Sequence, residues 1–385
     1  MVRQLLVAAG GTGGHLYPAL SLIETIWAED PQIDVTLVTS DASHDADLLR
    51  QYGGYVGDVR VATLPIRART SRSPLVLLRF GIQLVRSWWR ATRLIAAERP
   101  QVIVGFGSYV SAPVVLAGWL AGCRIVLHEQ NVIPGQANRW LAPLADCVAV
   151  SCAATQAQWT GRARRVLTGN PIRAIIGAVK PAAARRIFDL SPELPTLLVL
   201  GGSRGARAIN HLMTQAVSLW SPAERAACQI VHLAGVEDAA GVERMYAQVG
   251  IAHRVLAFCD QMAEAYAAAD LVLARAGATT LSELAAAGRP AVLMPYPYGN
   301  GHQRANVRWW VDAGAAICFE ERATTPGVIA DGLITTLRDP VKLQRMRAQA
   351  SSLARPEAAH RLAGEVFALA GWTMASAPTP VPVFA

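Results

Sequence analysis

Lysine is nearly absent from this 385-residue chain: of 36 basic side chains, only Lys180 and Lys342 are not arginine. The six cysteines (Cys123, Cys147, Cys152, Cys228, Cys259 and Cys318) include no C-x-x-C pair, so neither a zinc site nor a disulfide framework is indicated. No stretch has the length and uniform apolarity of a spanning helix, and the start, Met1-Val2-Arg3-Gln4, lacks the apolar core and cleavage site of a signal peptide. A cytosolic protein is expected. Charged residues are sparse at 17%, and the mean hydropathy of +0.27 is high, which leaves apolar surface for a membrane. The balance is still basic, +8 with a pI near 9.5, and favours anionic partners: nucleic acid, acidic lipid or phosphorylated substrates. No RNA- or DNA-binding motif accompanies that charge, so nucleic acid is not an expected partner. The one D-x-D spacing, Asp45-Ala46-Asp47, reads as a polar loop without further acidic support. Neither a metal nor a cofactor is expected.

What is present starts with glycine. The apolar run Leu5-Leu6-Val7-Ala8-Ala9 breaks into Gly10-Gly11-Thr12-Gly13-Gly14-His15, followed by an amphipathic run (Leu16, Leu20, Ile23, Ile26, Trp27). That is strand, tight turn and helix. Such a turn lets the backbone approach a ligand and offers helix N–H groups at a positive dipole end, a seat for an anion, most often phosphate. The dinucleotide fingerprint is excluded, because Leu16 takes the place of its third glycine. His15 sets a titratable group at the mouth, and phosphate plus base points to transfer chemistry.

Strand-like runs recur at 4–9, 33–39, 102–105, 124–127 and 147–151, then at 196–200, 229–233, 254–258, 271–273 and 291–294. The second half repeats the opening, with Thr196-Leu197-Leu198-Val199-Leu200 running into Gly201-Gly202-Ser203-Arg204-Gly205-Ala206. This α/β alternation predicts two Rossmann-like, doubly wound parallel-sheet domains with an interdomain cleft as the active site. The boundaries read as a first domain over 1–168, a hinge at 169–195 and a second domain at 196–345. A C-terminal helix over 346–370 is expected to pack back on the first domain, with a disordered tail at 371–385.

Several constellations allow two readings. Arg204 and Arg207 at the second glycine turn suit a diphosphate or are plain surface arginines. In Gly277-Ala278-Thr279-Thr280-Leu281-Ser282-Glu283, Glu283 could accept from ribose hydroxyls or simply complement a helix dipole. His302-Gln303-x-x-Asn306 could ring a sugar's hydroxyls or form a polar helix start. His128-Glu129-Gln130-Asn131 follows the strand Ile125-Val126-Leu127 and should lie on the functional rim, beside Gly105-Phe106-Gly107-Ser108-Tyr109.

Between Arg60 and Arg99 there are nine arginines and a single acid, Glu98. Leu75 to Trp89 reads as a helix after Pro74, with Arg79, Arg86, Arg90 and Arg93 on one stripe. Leu77, Leu78, Phe80, Ile82, Leu84, Val85, Trp88 and Trp89 cover most of the remaining circumference. One buried face needs less, so the surplus fits an interfacial helix on an anionic bilayer, or else a helix buried on two sides or in a dimer.

Taken together, GGTGGHLYPAL at 10–20, GFGSYVSAP at 105–113, HEQN at 128–131, GNPIR at 169–173, GGSRGA at 201–206, GATTLSELAAAGRPAVLMPYP at 277–297 and HQRAN at 302–306 are similar to one family in order and spacing. The chain resembles the MurG family of GT-B glycosyltransferases of the bacterial cell wall. That family transfers N-acetylglucosamine (GlcNAc) from UDP-GlcNAc to lipid I (undecaprenyl-diphospho-MurNAc-pentapeptide), which makes lipid II for peptidoglycan. The resemblance implies ribose binding at Glu283, diphosphate contacts at Arg173, Ser203, Ala278, Thr279 and Thr280, and uracil recognition by the backbone of Cys259. It also implies GlcNAc contacts at Asn131, His302 and Gln303. Thr12, Gly13 and Gly14 are expected at the donor sugar, and Gly10, Gly11, Tyr109, His128 and Glu129 on the acceptor side, the glycine turn facing the acceptor diphosphate. Ser108 stands where the family often has glycine, Asn300 replaces a common aspartate, and His302 is glutamine in some relatives.

The expected reaction is inverting and metal-independent, with His15 either the base or a positioning group. The expected place is peripheral, on the cytoplasmic face of the inner membrane, with cell-wall or division proteins as possible partners. Another GT-B lipid glycosyltransferase, such as one acting on diacylglycerol, and a non-catalytic nucleotide-sugar sensor are the rival readings.

Overall fold

The computed structural model describes residues 3–52, 59–68, 71, 73–156, 159, 163–201, 206–298 and 301–375, leaving aside the side chains of residues 43, 44, 51 and 52. Ser203, Arg204, Asn300 and most of the expected tail lie outside them. The chain divides into two compact units, Met1–Arg173 with Pro356–Ala385, and Ala174–Arg355.

In the first unit the strands are β1 (Gln4–Ala8), β2 (Asp34–Ser40), β3 (Arg60–Leu64), β4 (Val102–Gly105), β5 (Arg124–Glu129), β6 (Cys147–Val150) and β7 (Arg164–Leu167). They form one parallel sheet in the order β3-β2-β1-β4-β5-β6-β7. The second unit has β8 (Thr196–Leu200), β9 (Gln229–Leu233), β10 (Ala252–Leu256), β11 (Leu271–Ala274), β12 (Ala291–Leu293) and β13 (Ala316–Cys318) in the parallel order β10-β9-β8-β11-β12-β13. The expected pair of doubly wound parallel sheets is borne out. Central strands such as β1 and β8 are buried along their whole length, which is why they read as unbroken apolar runs.

Three strands were not expected: β3, β7 and β13. Each lies at a sheet edge. An edge strand buries little, so arginines at Arg60, Arg164 and Arg165 are tolerated in β3 and β7, whereas β13 is apolar but only three residues long. The stretch expected as one helix over 346–370 is the end of the helix Pro340–Ser352 and all of the helix Ala358–Ala370. The latter buries Leu362, Ala363, Val366 and Phe367 against Leu16, Leu20 and Ile23 in the first unit. The expected hinge divides as well. Gly169–Arg173 belongs to the first unit, whereas the helix Pro181–Ile187 and its neighbour Phe188 lie in the second, with Ala184 and Phe188 buried.

In both sheets the order reverses between the first strand and the fourth, at β1/β4 and β8/β11. Open α/β sheets bind ligands beyond the carboxyl ends at such a point. Ala8 stands beside Gly105, and Leu200 beside Ala274, so the motifs that follow these strands share an end of their sheet.

Candidate active site

In the first unit the glycine turn leaves β1 and enters α1 (Gly13–Glu29), with Thr12 at the N-cap. Gly11 has φ +82°, the left-handed region open to glycine. Gly10 is required by packing: a Cβ there would sit 2.6 Å from a carboxylate oxygen of Asp45. Asp45 is fully buried in the first turn of α2 (Ser43–Tyr52). The solvated loop expected at Asp45–Asp47 is therefore a helix start, and its first acid points into the protein. Asp45 accepts from Gly11 N–H at 2.9 Å, Thr39 Oγ–H at 2.9 Å and Ser40 Oγ–H at 2.5 Å. Nothing in the sequence marks Asp45, because its partners come from the turn after β1 and from the end of β2. On the other side of the turn His15 is half-buried, its Nδ1 2.8 Å from Thr12 Oγ1.

Beside this turn, β4 runs through Gly107 into α4 (Ser108–Leu120). Ser108 has φ +67°, a strained value for a side chain-bearing residue, which explains why glycine suits this position. Ser108 Oγ and the Tyr109 ring lie close enough that a Cβ on Gly11 would meet both at about 3 Å.

His128 and Glu129, expected on an exposed rim, are 0% and 1% exposed. Their polar atoms are spent on the protein. His128 Nε2–H donates to the Gly169 carbonyl at 3.0 Å, and its Nδ1 accepts from Gln130 Nε2–H at 3.1 Å, which fixes one neutral tautomer. Burial pulls the His128 imidazole down to about 4, helped by the nearby His15 charge. Glu129 accepts from Asn131 N–H and Gly135 N–H at 3.0 and 2.8 Å and from Asn138 Nδ2 at 2.8 Å. The carboxylate thus ties the 131–135 loop, which carries Asn131, to the start of α5 (Gln136–Leu141). Arg173, where the chain leaves this unit, holds its guanidinium 5.2 Å from the Tyr17 ring of α1.

In the second unit, β11 is followed by Gly277 and the helix Ala278–Ala286. Gly277 is the N-cap and uses no side chain to close the helix start, so the N–H groups of the first turn, at Ala278, Thr279 and Thr280, carry the positive dipole end. Glu283, 5% exposed, accepts from Tyr266 Oη–H at 2.9 Å. Cys259 is buried beside exposed Phe258. Gln303 Oε1 accepts from both Ala276 N–H at 3.2 Å and Tyr296 N–H at 2.8 Å, tying the ends of β11 and β12, and Asn306 Nδ2 donates to the Ala276 carbonyl at 3.0 Å. His302 opens the same helix, His302–Asp312. Arg275 was not anticipated. It is buried, donates to the Met294 carbonyl, and pairs with Glu321.

Among the described residues no group of three or more His, Cys, Asp or Glu side chains could hold a metal ion.

A helix on the first unit also departs from expectation. α3 runs Pro74–Glu98, longer than the sequence suggested, and its Ser73 hydroxyl caps Val76 N–H. Phe80, Leu84 and Trp88, expected to face a membrane, instead pack on the unit's core with buried Ala91 and Ile95. The exposed apolar side chains are Leu75 (71%), Leu78, Ile82, Val85 (65%) and Trp89, at alternating spacings of three and four, with Leu77 at the helix start. Such spacing is one stripe, and Arg79, Arg86, Arg90 and Arg93, all exposed, run beside it.

Two Rossmann-like units, each an open parallel sheet with one reversal point, have the architecture of the GT-B glycosyltransferases. Residues 5–150 match the glycosyltransferase family 28 N-terminal domain, and residues 196–362 the glycosyltransferase family 28 C-terminal domain. The chain belongs to glycosyltransferase family 28. It is 37% identical over 361 residues to a UDP-N-acetylglucosamine--N-acetylmuramyl-(pentapeptide) pyrophosphoryl-undecaprenol N-acetylglucosamine transferase of Syntrophotalea carbinolica, covering 93% of this chain and 97% of that relative. A protein of the same name from Nitratidesulfovibrio vulgaris (strain DSM 19637 / Miyazaki F) is 39% identical, over 93% of this chain and 95% of that one. The crystal structure of Acinetobacter baumannii MurG superposes with a TM-score of 0.73 at 26% identity, covering 94% of this chain and 99% of that one. The resemblance read from the motifs is borne out.

Proposed function

We propose that the protein transfers GlcNAc from UDP-GlcNAc to the C4 hydroxyl of MurNAc in lipid I, with inversion and without a metal ion. The observation that carries the chemistry is the Thr12–His15 contact at the carboxyl end of β1. With Thr12 Oγ accepting from Nδ1–H, the lone pair of His15 lies on Nε2, which takes the proton of the attacking hydroxyl. The new bond joins O4 of MurNAc to C1 of GlcNAc, the bond from C1 to the diphosphate oxygen breaks, and its electron pair leaves with UDP. That charge is met by the amides opening the helix Ala278–Ala286 and by the guanidinium of Arg173. Glu283, its carboxylate set by Tyr266, accepts from the ribose hydroxyls, and the backbone of Cys259 meets the uracil edge. Asn131, His302 and Gln303 contact the GlcNAc hydroxyls. Neutral His128 keeps a second cation away from His15 when the imidazolium forms. The names of the relatives, which specify this donor and acceptor, support the reading. Incubation with labelled UDP-GlcNAc and a lipid I analogue tests it; label in the lipid product is the expected result.

The exposed stripe of α3 rests on an anionic bilayer, placing the enzyme at the membrane surface where lipid I resides. Charge complementarity favours this occupant: an apolar row flanked by arginines matches acyl chains beneath acidic headgroups. No helix among the described residues is long and apolar enough to cross a membrane, so the attachment is peripheral. Flotation with phosphatidylglycerol vesicles tests it; binding of α3 to a second copy of the chain instead would appear as a dimer in solution without lipid.

A further inference from the structure

Asp45 is the one buried carboxylate at the glycine turn, and nothing in the reaction above uses it. All its partners donate: Gly11 N–H, Thr39 Oγ–H, Ser40 Oγ–H, and Ser40 N–H at 3.3 Å. This acceptor-only setting suits the ionised side chain. Among the described residues no basic side chain pairs with it. Burying an unpaired charge is costly, and a neutral residue could close a turn at less expense. What the carboxylate gains is reach. It joins the end of β2 to the turn leaving β1, two residues before the α1 N-terminus and four before His15. Gly10 is bare because the carboxylate lies directly beneath it. The Gly11 N–H is thereby drawn inward, away from any ligand above the turn.

We infer that Asp45 is a positioning residue for the transfer reaction: from beneath, it locks the glycine turn in the one geometry that sets Thr12 and His15 against the acceptor hydroxyl. This deepens the proposed function and rests on it. The lock carries a negative charge and occupies an amide, so the turn receives the neutral attacking sugar better than the acceptor diphosphate, for which the sequence alone had suited it.

The test has an arm that needs no turnover. In the full-length Asp45→Asn protein, hydrogen exchange of the segment covering residues 9–16 should quicken at least tenfold, with peptides of the second unit unchanged; unchanged exchange at 9–16 overturns the lock. In the transfer assay, Asp45→Asn should lower kcat about 100-fold while the UDP-GlcNAc KM stays within about twofold. Placed on His15→Ala, the same change should cost less than about threefold, because the two act through one geometry. Losses that multiply, or an unchanged kcat, overturn the assignment. If Asp45→Asn does not fold, Ser40→Ala removes a single donor, and a kcat drop of about fivefold at constant donor KM is expected; an unchanged kcat overturns it. An inactive wild type that still shows the exchange effect counts against the transferase reading and not against the lock.

Discussion

The two units wind their strands in the same order, yet they spend their polar atoms differently at the reversal point. In the first, the buried carboxylates turn inward: Asp45 grips the glycine turn, Glu129 ties the 131–135 loop to α5, and His128 is locked neutral between Gly169 and Gln130. The proposed reaction sets His15 and Asn131 of this unit against the substrates. In the second, Glu283 stands with Tyr266 behind a helix start, and Gln303 clamps two strand ends. In the proposed reaction the first unit braces the base, and the second braces acceptors and amides for the nucleotide sugar. The first also carries the exposed apolar row of α3, and the second has no such row among its described helices.

The comparison is broken most easily at His15. His15→Ala should lower kcat by about 10³-fold, the usual range for a lost general base, with the donor KM little changed; a kcat within tenfold of wild type would show that the first unit supplies no base. Glu283→Ala should do the reverse, raising the UDP-GlcNAc KM about 30-fold, since a lost charge-assisted hydrogen-bond set is worth about 2 kcal/mol. An unaltered KM would remove the ribose role from the second unit.

Each unit also buries a neutral histidine, His128 held at about 4 and His232 at about 3 by desolvation. Both are lowered from 6.5, so the unfolded chain binds protons first as pH falls. Stability is then complete above about pH 6.5 and declines below it, by on the order of 2 kcal/mol for His128 alone at pH 5. Thermal unfolding from pH 7.5 to 5 should show this, and His128→Gln should flatten the slope; an identical slope would contradict the assignment. The smallest effect belongs to α3. Ile82→Glu with Val85→Glu should weaken binding to anionic vesicles several-fold and leave turnover of a soluble acceptor analogue unchanged. Phe80→Ala, on the inward face, should lower stability instead. Equal vesicle binding by all three proteins would dismiss the α3 surface.

The central strands were legible because strands buried on both faces must be apolar throughout, and the first glycine turn because Gly10 and Gly11 leave no room for a side chain. The edge strands β3 and β7 were not, since half-solvated residues follow no such rule, and β13 is too short, at three residues, to stand out. His15 could be singled out from its place directly after the glycine turn, while its contact with Thr12 could not. Asp45 could not: it looked like a loop acid, and only the meeting of β1, β2 and α2 makes it the floor of the turn. His128 and Glu129 were placed correctly along the chain but not in depth, because a polar run at a strand end looks the same whether it faces a ligand or holds a loop. On α3 the arginine stripe was right, while a periodic pattern alone could not say which apolar sector the core takes.

The most direct measurement incubates the protein with labelled UDP-GlcNAc and a lipid I analogue, with and without EDTA. Label should appear on the lipid at the same rate in both. No transfer to the lipid I analogue, transfer lost with EDTA, or turnover only of UDP-glucose or UDP-galactose onto diacylglycerol would contradict the account.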